Sequence, residues 1–263
     1  LFRGTTDRGD FIMTYDTISN SSKFLNRTMN IRIYGTAGLP VLAFPNDRGN
    51  CGTWESVGLI DLVKDYLDSE KIQLFCVDTV DEDGWLDVFG KWDTREQIIE
   101  AYYSYLAEEA IPAIREYTSS DALPYAIGFG LGALSASIIA LRRPDLIGGL
   151  LACSGCYDGS YYFNGHSSDR IYHNSPALFM ENMPYDHAYV ELYKQRKIAF
   201  CVGQSPYDKE AHRTANMLNC AFVDRGIRNV WVDFWGSDVT PEWDWWRKQL
   251  VYFLPWLIDP KRR

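Results

Sequence analysis

The sequence predicts an α/β fold with a mostly parallel central sheet, helices on both faces and an antiparallel strand pair toward its amino-terminal side. Three observations carry this prediction. Short strand-like runs alternate along the chain with longer amphipathic ones, the order expected of strand–helix–strand units. Several short runs, residues 41–44 and 198–202 among them, are apolar at every position, as strands are when both faces of a sheet are covered. The 263 residues, 46% hydrophobic and 23% charged, contain no repeat, low-complexity tract or Gly/Ser linker, and so suit one large core. Residues 1–263 are therefore read as a single domain with a cap-like insertion around 157–196.

Residues 31–34 and 41–44 are the first expected strands, and the Gly- and Pro-containing turn at 35–40 suits a hairpin between them. A helix is expected at 57–69, then a strand at 72–77, an irregular segment rich in Asp and Trp, and a long amphipathic helix at 94–117. The strand 124–129 leads into a helix at 131–142, which stops before Pro144 because proline disfavours helical backbone in the residue preceding it. Strands at 148–153, 198–202 and 229–235 complete the sheet, with helices at 210–225 and 243–257. In such sheets ligands bind beyond the carboxyl ends of the strands, which directs attention to the loops after Phe44, Val77, Phe129, Cys153, Val202 and Trp235.

With 26 basic and 35 acidic residues the formal charge is −9, so nucleic acid would be repelled at long range and is not an expected partner. No run approaches the roughly eighteen apolar residues of a membrane span, and no membrane association is expected. Cys76, Cys153 and Cys201 fall inside strand runs and read as buried thiols, which points to a reducing, cytoplasmic setting. Cys153 and Cys156 form a C-x-x-C, but no second pair of cysteines or histidines completes a metal site, and neither a metal nor another cofactor is expected.

The strand ending at Phe129 runs into Gly128-Phe129-Gly130-Leu131-Gly132-Ala133 and directly into a helix. A glycine-rich dinucleotide loop fits poorly, since that loop belongs at the first strand-to-helix turn with an acidic residue about twenty positions later. Here the motif lies at mid-chain and the corresponding region is apolar. The better frame is the nucleophile elbow, G-x-S-x-G, in which a strained turn lifts a serine to the top of the sheet. Gly128 and Gly132 are the framing glycines, and the central position is Gly130, which has no side chain.

Further segments extend the pattern: Pro40-Val41-Leu42-Ala43-Phe44-Pro45, Leu151-Ala152-Cys153-Ser154-Gly155, Asn174-Ser175-Pro176, Cys201-Val202-Gly203-Gln204 and Val232-Asp233-Phe234-Trp235-Gly236. With these the chain resembles, over nearly its whole length, the putative-esterase branch of the α/β-hydrolase superfamily, which includes S-formylglutathione hydrolases, enterobactin esterases and mycolyltransferases. The resemblance implies an α/β-hydrolase fold and a serine–histidine–acid triad with two backbone N–H groups facing the oxyanion. Carried onto this chain, the nucleophile falls on Gly130 and the acid on Asp208, with Glu210 as a nearby candidate. The histidine falls on Pro241, in Val239-Thr240-Pro241-Glu242-Trp243. The oxyanion donors fall on Leu131 and on the Asn46-Asp47-Arg48 loop, with Asp47 the candidate.

Other residues do not restore the lost groups. Ser135 and Ser137 lie one and two turns into the helix, away from the elbow tip, and read as packing residues. His166, His173, His187 and His212 read as surface or packing residues, and Asp208, Asp238 and Glu242 as solvated loop acids. Trp245 and Trp246 begin a terminal helix and read as core. Asn46, Trp54, Trp85, Trp92 and Glu242 are candidates for a pocket wall, and Trp54, Trp85 and Trp92 also for a subunit contact.

The function expected is that of an esterase-family fold that has lost serine-hydrolase chemistry and acts as a binding, scaffold or regulatory protein. Its partners would be a small acyl or sugar ligand, a second copy of the chain or an active homologue. The alternative is an active carboxylesterase or acyltransferase acting on a small acyl ester, with its base supplied from elsewhere.

Overall fold

Val41 and Ala43 bury their side chains in one hydrophobic cluster, and Leu42 and Phe44 bury theirs in another. The strand carrying them must therefore lie inside a sheet covered on both sides. A computed structural model, which describes residues 2–7 and 12–259, places it there. Among the described residues nine strands form one sheet: β1 (Phe2–Asp7), β2 (Ile12–Ser22), β3 (Arg27–Tyr34), β4 (Leu39–Ala43), β5 (Ile72–Val77), β6 (Tyr125–Phe129), β7 (Gly149–Cys153), β8 (Lys197–Val202) and β9 (Val230–Phe234). Their spatial order is β1-β2-β3-β5-β4-β6-β7-β8-β9. β1, β2, β3 and β5 pair antiparallel in succession, and every pairing from β5 through β4 to β9 is parallel.

The expected hairpin between β3 and β4 does not form. β5 lies between them, antiparallel to β3 and parallel to β4. The reason is the same two-sided burial: β4 needs a covered neighbour on each side, and it finds β5 and β6. The 35–38 turn instead passes over the start of β5, where the Gln73 side-chain amide donates to the Gly35 carbonyl and Leu39 N–H donates to Lys71 O. The antiparallel part of the sheet is β1, β2 and β3, and for β1 and β2 the sequence offered no strong apolar run.

The predicted 57–69 helix is three short helices, α1 (Thr53–Ser56), α2 (Leu59–Leu62) and α3 (Lys64–Asp68). Gly58 interrupts them with φ +75°, and the Val57 carbonyl is taken up by the Arg247 guanidinium. The long helix is α4 (Trp92–Tyr105), a π-helical turn (Leu106–Ala110) and α5 (Ile111–Thr118). Pro112 lies at the start of α5, where its missing N–H and its ring are incompatible with an unbroken α-helical ladder. α6 (Leu131–Arg142) follows β6 directly; α7 (Asp169–His173), α8 (Pro176–Glu181) and α9 (Tyr189–Tyr193) lie between β7 and β8, α10 (Lys209–Asp224) between β8 and β9, and α11 (Trp243–Ile258) follows β9.

One face of the sheet packs on α4, α5, α6, α8 and α10 through residues such as Tyr105, Ile114, Ile139, Met180 and Leu218. The other packs on α1, α2, α3 and α11 through Trp54, Leu59, Leu67, Leu250 and Phe253. α6 is buried nearly all round, because Leu131, Leu134 and Ile138 also meet Trp85, Phe163 and Ile171 in a third cluster. Tyr157, Ala177, Met180, Val190 and Tyr193, from the 157–196 segment, join the largest cluster.

The two glycines framing the β6–α6 turn are there for close approach. A Cβ on Gly128 would lie 2.1 Å from the Gly132 carbonyl oxygen, and one on Gly132 would lie 2.0 Å from the Pro45 carbonyl oxygen. Neither obstacle is a flexible side chain. Gly132→Ala is therefore expected to cost at least ~3 kcal/mol, the upper end for overpacking, whereas Gly58→Ala, with open space around it, should cost only the ~1–2 kcal/mol of a left-handed backbone. Urea unfolding midpoints of the two variants check the contrast.

Candidate functional site

At the end of β6 the chain turns sharply through Gly130, with φ +55° and ψ −123°, before α6 begins. Gly130 N–H donates to Cys153 O at 2.9 Å, and Ala133 N–H donates to Gly130 O at 3.1 Å, so the turn is held from both sides. β7 ends in a second unusual residue, Ser154, at φ +54°, whose N–H donates to Cys201 O. After β8, Ser205, Pro206 and Tyr207 lead into Asp208, at the N-cap of α10. After β9, the 236–242 loop is tied down where Gln204 N–H donates to Gly236 O and the Gln204 side chain donates to Trp235 O.

These loop ends meet. Gly130, Leu131, Asp208, Pro241, Asn46 and Asp47 all line one cavity of 230 Å³. Asn46, Pro241 and Trp246 also line an adjoining cavity of 380 Å³, which Glu242 helps to form. The structure thus brings together the positions that the sequence assigned to nucleophile, acid, base and oxyanion donors.

Three of these positions have distinctive surroundings. The Leu131 N–H, expected to face a substrate oxygen, donates instead to the Asn46 side-chain oxygen Oδ1 at 3.2 Å. A Cβ built on Gly130 would stand 2.2 Å from that same Oδ1. In its present rotamer the Asn46 carboxamide occupies the space that a Cβ at 130 would take. Asp208, read from the sequence as a solvated loop acid, is instead almost fully buried at the start of α10, and Ser205 Oγ donates to its Oδ2 at 3.1 Å. Burial raises the Asp208 carboxyl above its ordinary range, against the opposing pull of the Ser205 and Ser154 hydroxyls and of His212. Pro241 offers no proton acceptor facing it.

Three of the pocket-wall candidates, Trp54, Trp85 and Trp92, lie outside the cleft lining. Trp54 is buried in the core, where its Nε1 donates to Phe44 O at 2.9 Å and its ring meets Phe129. Trp85 is buried against Tyr162 and Phe163. Both lie in loop or short-helix sequence, but their rings turn toward the sheet and α6 because that is where apolar surface is available to cover them. Trp92 is partly exposed and stacks on His166, whose Nε2 lies 3.2 Å from a Glu96 carboxylate oxygen. His212 packs on Phe234, His173 on Tyr172, and His187 accepts from Tyr189 N–H. Ser135 and Ser137 are buried, and Ser137 Oγ donates to Ala133 O. Asp238 turns back toward Gly236. Among the described residues no group of three or more His, Cys, Asp or Glu is arranged to hold a metal ion.

The sequence did not single out several residues that line the cleft. Trp246, read as core, is both core and cleft wall, with its Nε1 buried and unpartnered. Ser154 and Cys156 follow a strand's carboxyl end, a signal that was present. Tyr161 and Tyr162 come from the 157–196 segment, and only the fold brings them to the cleft. The Arg95 guanidinium helps place them by donating to Gly84 O, Trp85 O and Tyr162 O. Burial pushes the Cys156 thiol up to about 11, so it stays protonated and a poor nucleophile at neutral pH.

The family model described as "Putative esterase" matches residues 22–257. Among curated proteins no sequence matches this chain. Solved structures similar to it include a ferulic acid esterase, at 14% identity and TM-score 0.71, covering 93% of this chain and 97% of that one. An S-formylglutathione hydrolase from Agrobacterium tumefaciens, at 13% identity and TM-score 0.70, covers 97% of both chains. An enterobactin esterase from Shigella flexneri, at 14% identity and TM-score 0.59, covers 92% of this chain and 59% of its own. The fold is the α/β-hydrolase fold.

In the loop after β5 Asp81 is buried, and desolvation pushes its carboxyl up to about 7 despite the Thr79 hydroxyl; Asp47 and Glu82 add to the rise. For an acid with a raised folded-state pKa, the stabilising contribution is complete below the ordinary value of 3.8 and is lost as pH rises through about 7. Asp81→Asn, which can still accept from Thr79, is expected to raise the melting temperature by a few degrees at about pH 8 and to change it little near pH 4. Calorimetry across that range checks the crossover.

Proposed function

We propose that this chain, which belongs to the putative esterase family, binds a ligand in its cleft without cleaving it. The observation that carries the reading is the Asn46–Gly130 pair. A serine hydrolase needs an oxygen nucleophile at the elbow, and the one position built to present it holds a glycine. The neighbouring N–H that would stabilise an oxyanion is already engaged by the Asn46 carbonyl oxygen.

The base side supports the same conclusion. Nucleophile and base act as a unit, so loss of either removes most of the acceleration, and here Pro241 occupies the second position. Cys156, the cleft's thiol, is protonated at neutral pH and has no imidazole lining the cavity beside it. The cleft itself is intact: it is lined by side chains from several loops and backed by a packed sheet. That leaves binding as the property the residues support.

The purified protein is expected to hydrolyse p-nitrophenyl acetate no faster than buffer and to take no label from a fluorophosphonate probe; turnover or labelling overturns the reading. Restoring Gly130→Ser with Pro241→His places a Cβ against Asn46 Oδ1, so this double variant should stay near background. Adding Asn46→Ala should raise its rate at least about tenfold, a gain of ~1.4 kcal/mol in transition-state stabilisation. The three rates are measured side by side, with circular dichroism to confirm folding.

A further inference from the structure

Among the described residues the sheet is left open along β9, which ends the spatial order and pairs with β8 alone. Whereas β4 to β8 are buried along nearly their whole length, every residue of β9 keeps part of its surface exposed. Trp235 N–H donates to Val202 O, so alternation along the strand turns Trp231 and Asp233 toward β8, and Val230, Val232 and Phe234 outward. Among the described residues no hydrogen bond reaches the outward N–H groups, and the outward carbonyls receive only a 3.4 Å contact, from Gln204 Nε2 to Phe234 O. Strand edges of this kind are usually blunted by lysine, proline or a bulge. Residues 229–236 contain no lysine or proline, and the β8–β9 register runs unbroken from Val230 to Phe234.

This edge is complementary to itself. A second β9 laid antiparallel about Val232 would pair that residue with its own copy, and Val230 with Phe234 of the second copy, so that each outward N–H meets an outward carbonyl. The charges select the same direction. Arg228 stands just before β9 and Asp238 just beyond it; both are exposed, and neither has an ion-pair partner among the described residues. Antiparallel pairing would set Arg228 of each copy opposite Gly236 of the other, close to Asp238, whereas parallel pairing would bring like charges together. On the α11 side the strand is bordered by apolar surface: Trp231 and Trp235 both pack on Tyr252, which with its neighbour Val251 is more than half exposed. Repulsion between two chains of charge −9 is screened over about 8 Å at physiological salt and so does not reach across the molecule. We infer that two copies of this chain join edge to edge through antiparallel β9 strands, continuing the sheet of one copy into the other. The inference does not depend on what occupies the cleft.

Sedimentation velocity of the wild-type protein at physiological salt is expected to show a species of twice the 30.2 kDa of one chain, in equilibrium with the monomer. Hydrogen exchange of the β9 amides should slow as concentration rises through that equilibrium, because the outward N–H groups are bonded only in the pair. Val232→Pro removes the central outward N–H without touching the β8 ladder, and should weaken association at least about tenfold. Arg228→Asp and Asp238→Arg should each weaken it by a smaller factor, and the two reversals together should restore it. Residues 228 and 238 flank opposite ends of one strand, so this rescue cannot arise within a single chain. Both positions lie outside the strand, and they decide the matter whether or not Val232→Pro folds, as judged by circular dichroism. A monomer at every concentration, a dimer whose β9 amides exchange as fast as the monomer's, a dimer that folded Val232→Pro leaves intact, or a double reversal no better than the single ones overturns the assignment.

Discussion

The cleft is organised around the hydrogen bond from the Leu131 N–H to the Asn46 carboxamide oxygen. That N–H is the first backbone donor of α6, presented outward because Gly130 takes a backbone conformation with φ +55°. The acceptor comes from the loop after β4, on the other side of the turn. A Cβ at 130 and the present Asn46 rotamer exclude each other at 2.2 Å. The absence of a side chain at 130 and the engaged Leu131 N–H are thus one constraint. Gly130 makes room for Asn46, and Asn46 satisfies a backbone donor that would otherwise lack a partner in a partly buried site.

The same turn shows how tightly the fold has to close for the cleft to exist. Gly128, Gly132 and the Pro45 carbonyl meet at distances that leave no volume for a side chain on either glycine. This contact locks the start of α6 against the end of β4, so the Asn46 loop and the Leu131 N–H arrive together. On the opposite wall, the Arg95 guanidinium ties the Gly84–Trp85 loop to Tyr162, and the Trp85 ring packs between Tyr162 and Phe163. Buried packing of Trp85 therefore positions residues that do face the cleft, an indirect role in place of the direct one its loop sequence suggested.

Asp208, where the resemblance places the orienting acid, is held inside the fold. Its Oδ2 is bound by the Ser205 hydroxyl, the Ser154 hydroxyl also acts on the carboxyl, and its neighbour Gly203 lies close against Val239. Pro241 has no side-chain N–H to offer it. Among the described residues no lysine, arginine or histidine lines the cleft, whose walls include carboxylates, aromatic rings and backbone.

How much of this could be read before the fold was known depended on the range of the interactions involved. The parallel strands, their helices and the Gly130 elbow were legible because burial on two faces writes continuous apolar runs and a strand-to-helix turn with three glycines is a local pattern. The two early strands were not, since β1 and β2 have no strong apolar run, and neither was the β3–β5–β4 order, which depends on which strand covers each edge of β4. The broken 53–68 segment and the π-helical turn at 106–110 depend on Gly58 and Pro112 in ways that periodicity averages away. The amino-acid sequence by itself determined that the elbow position is Gly130 and that the loop after β9 holds no histidine, because these are properties of single residues. Only the tertiary structure decided that Asn46 lies over Gly130, that Trp246 and the tyrosines wall the cleft while Trp54 and Trp85 do not, and that Asp208 is buried. These depend on side chains from distant segments competing for the same few ångströms, and such competition has no local signature.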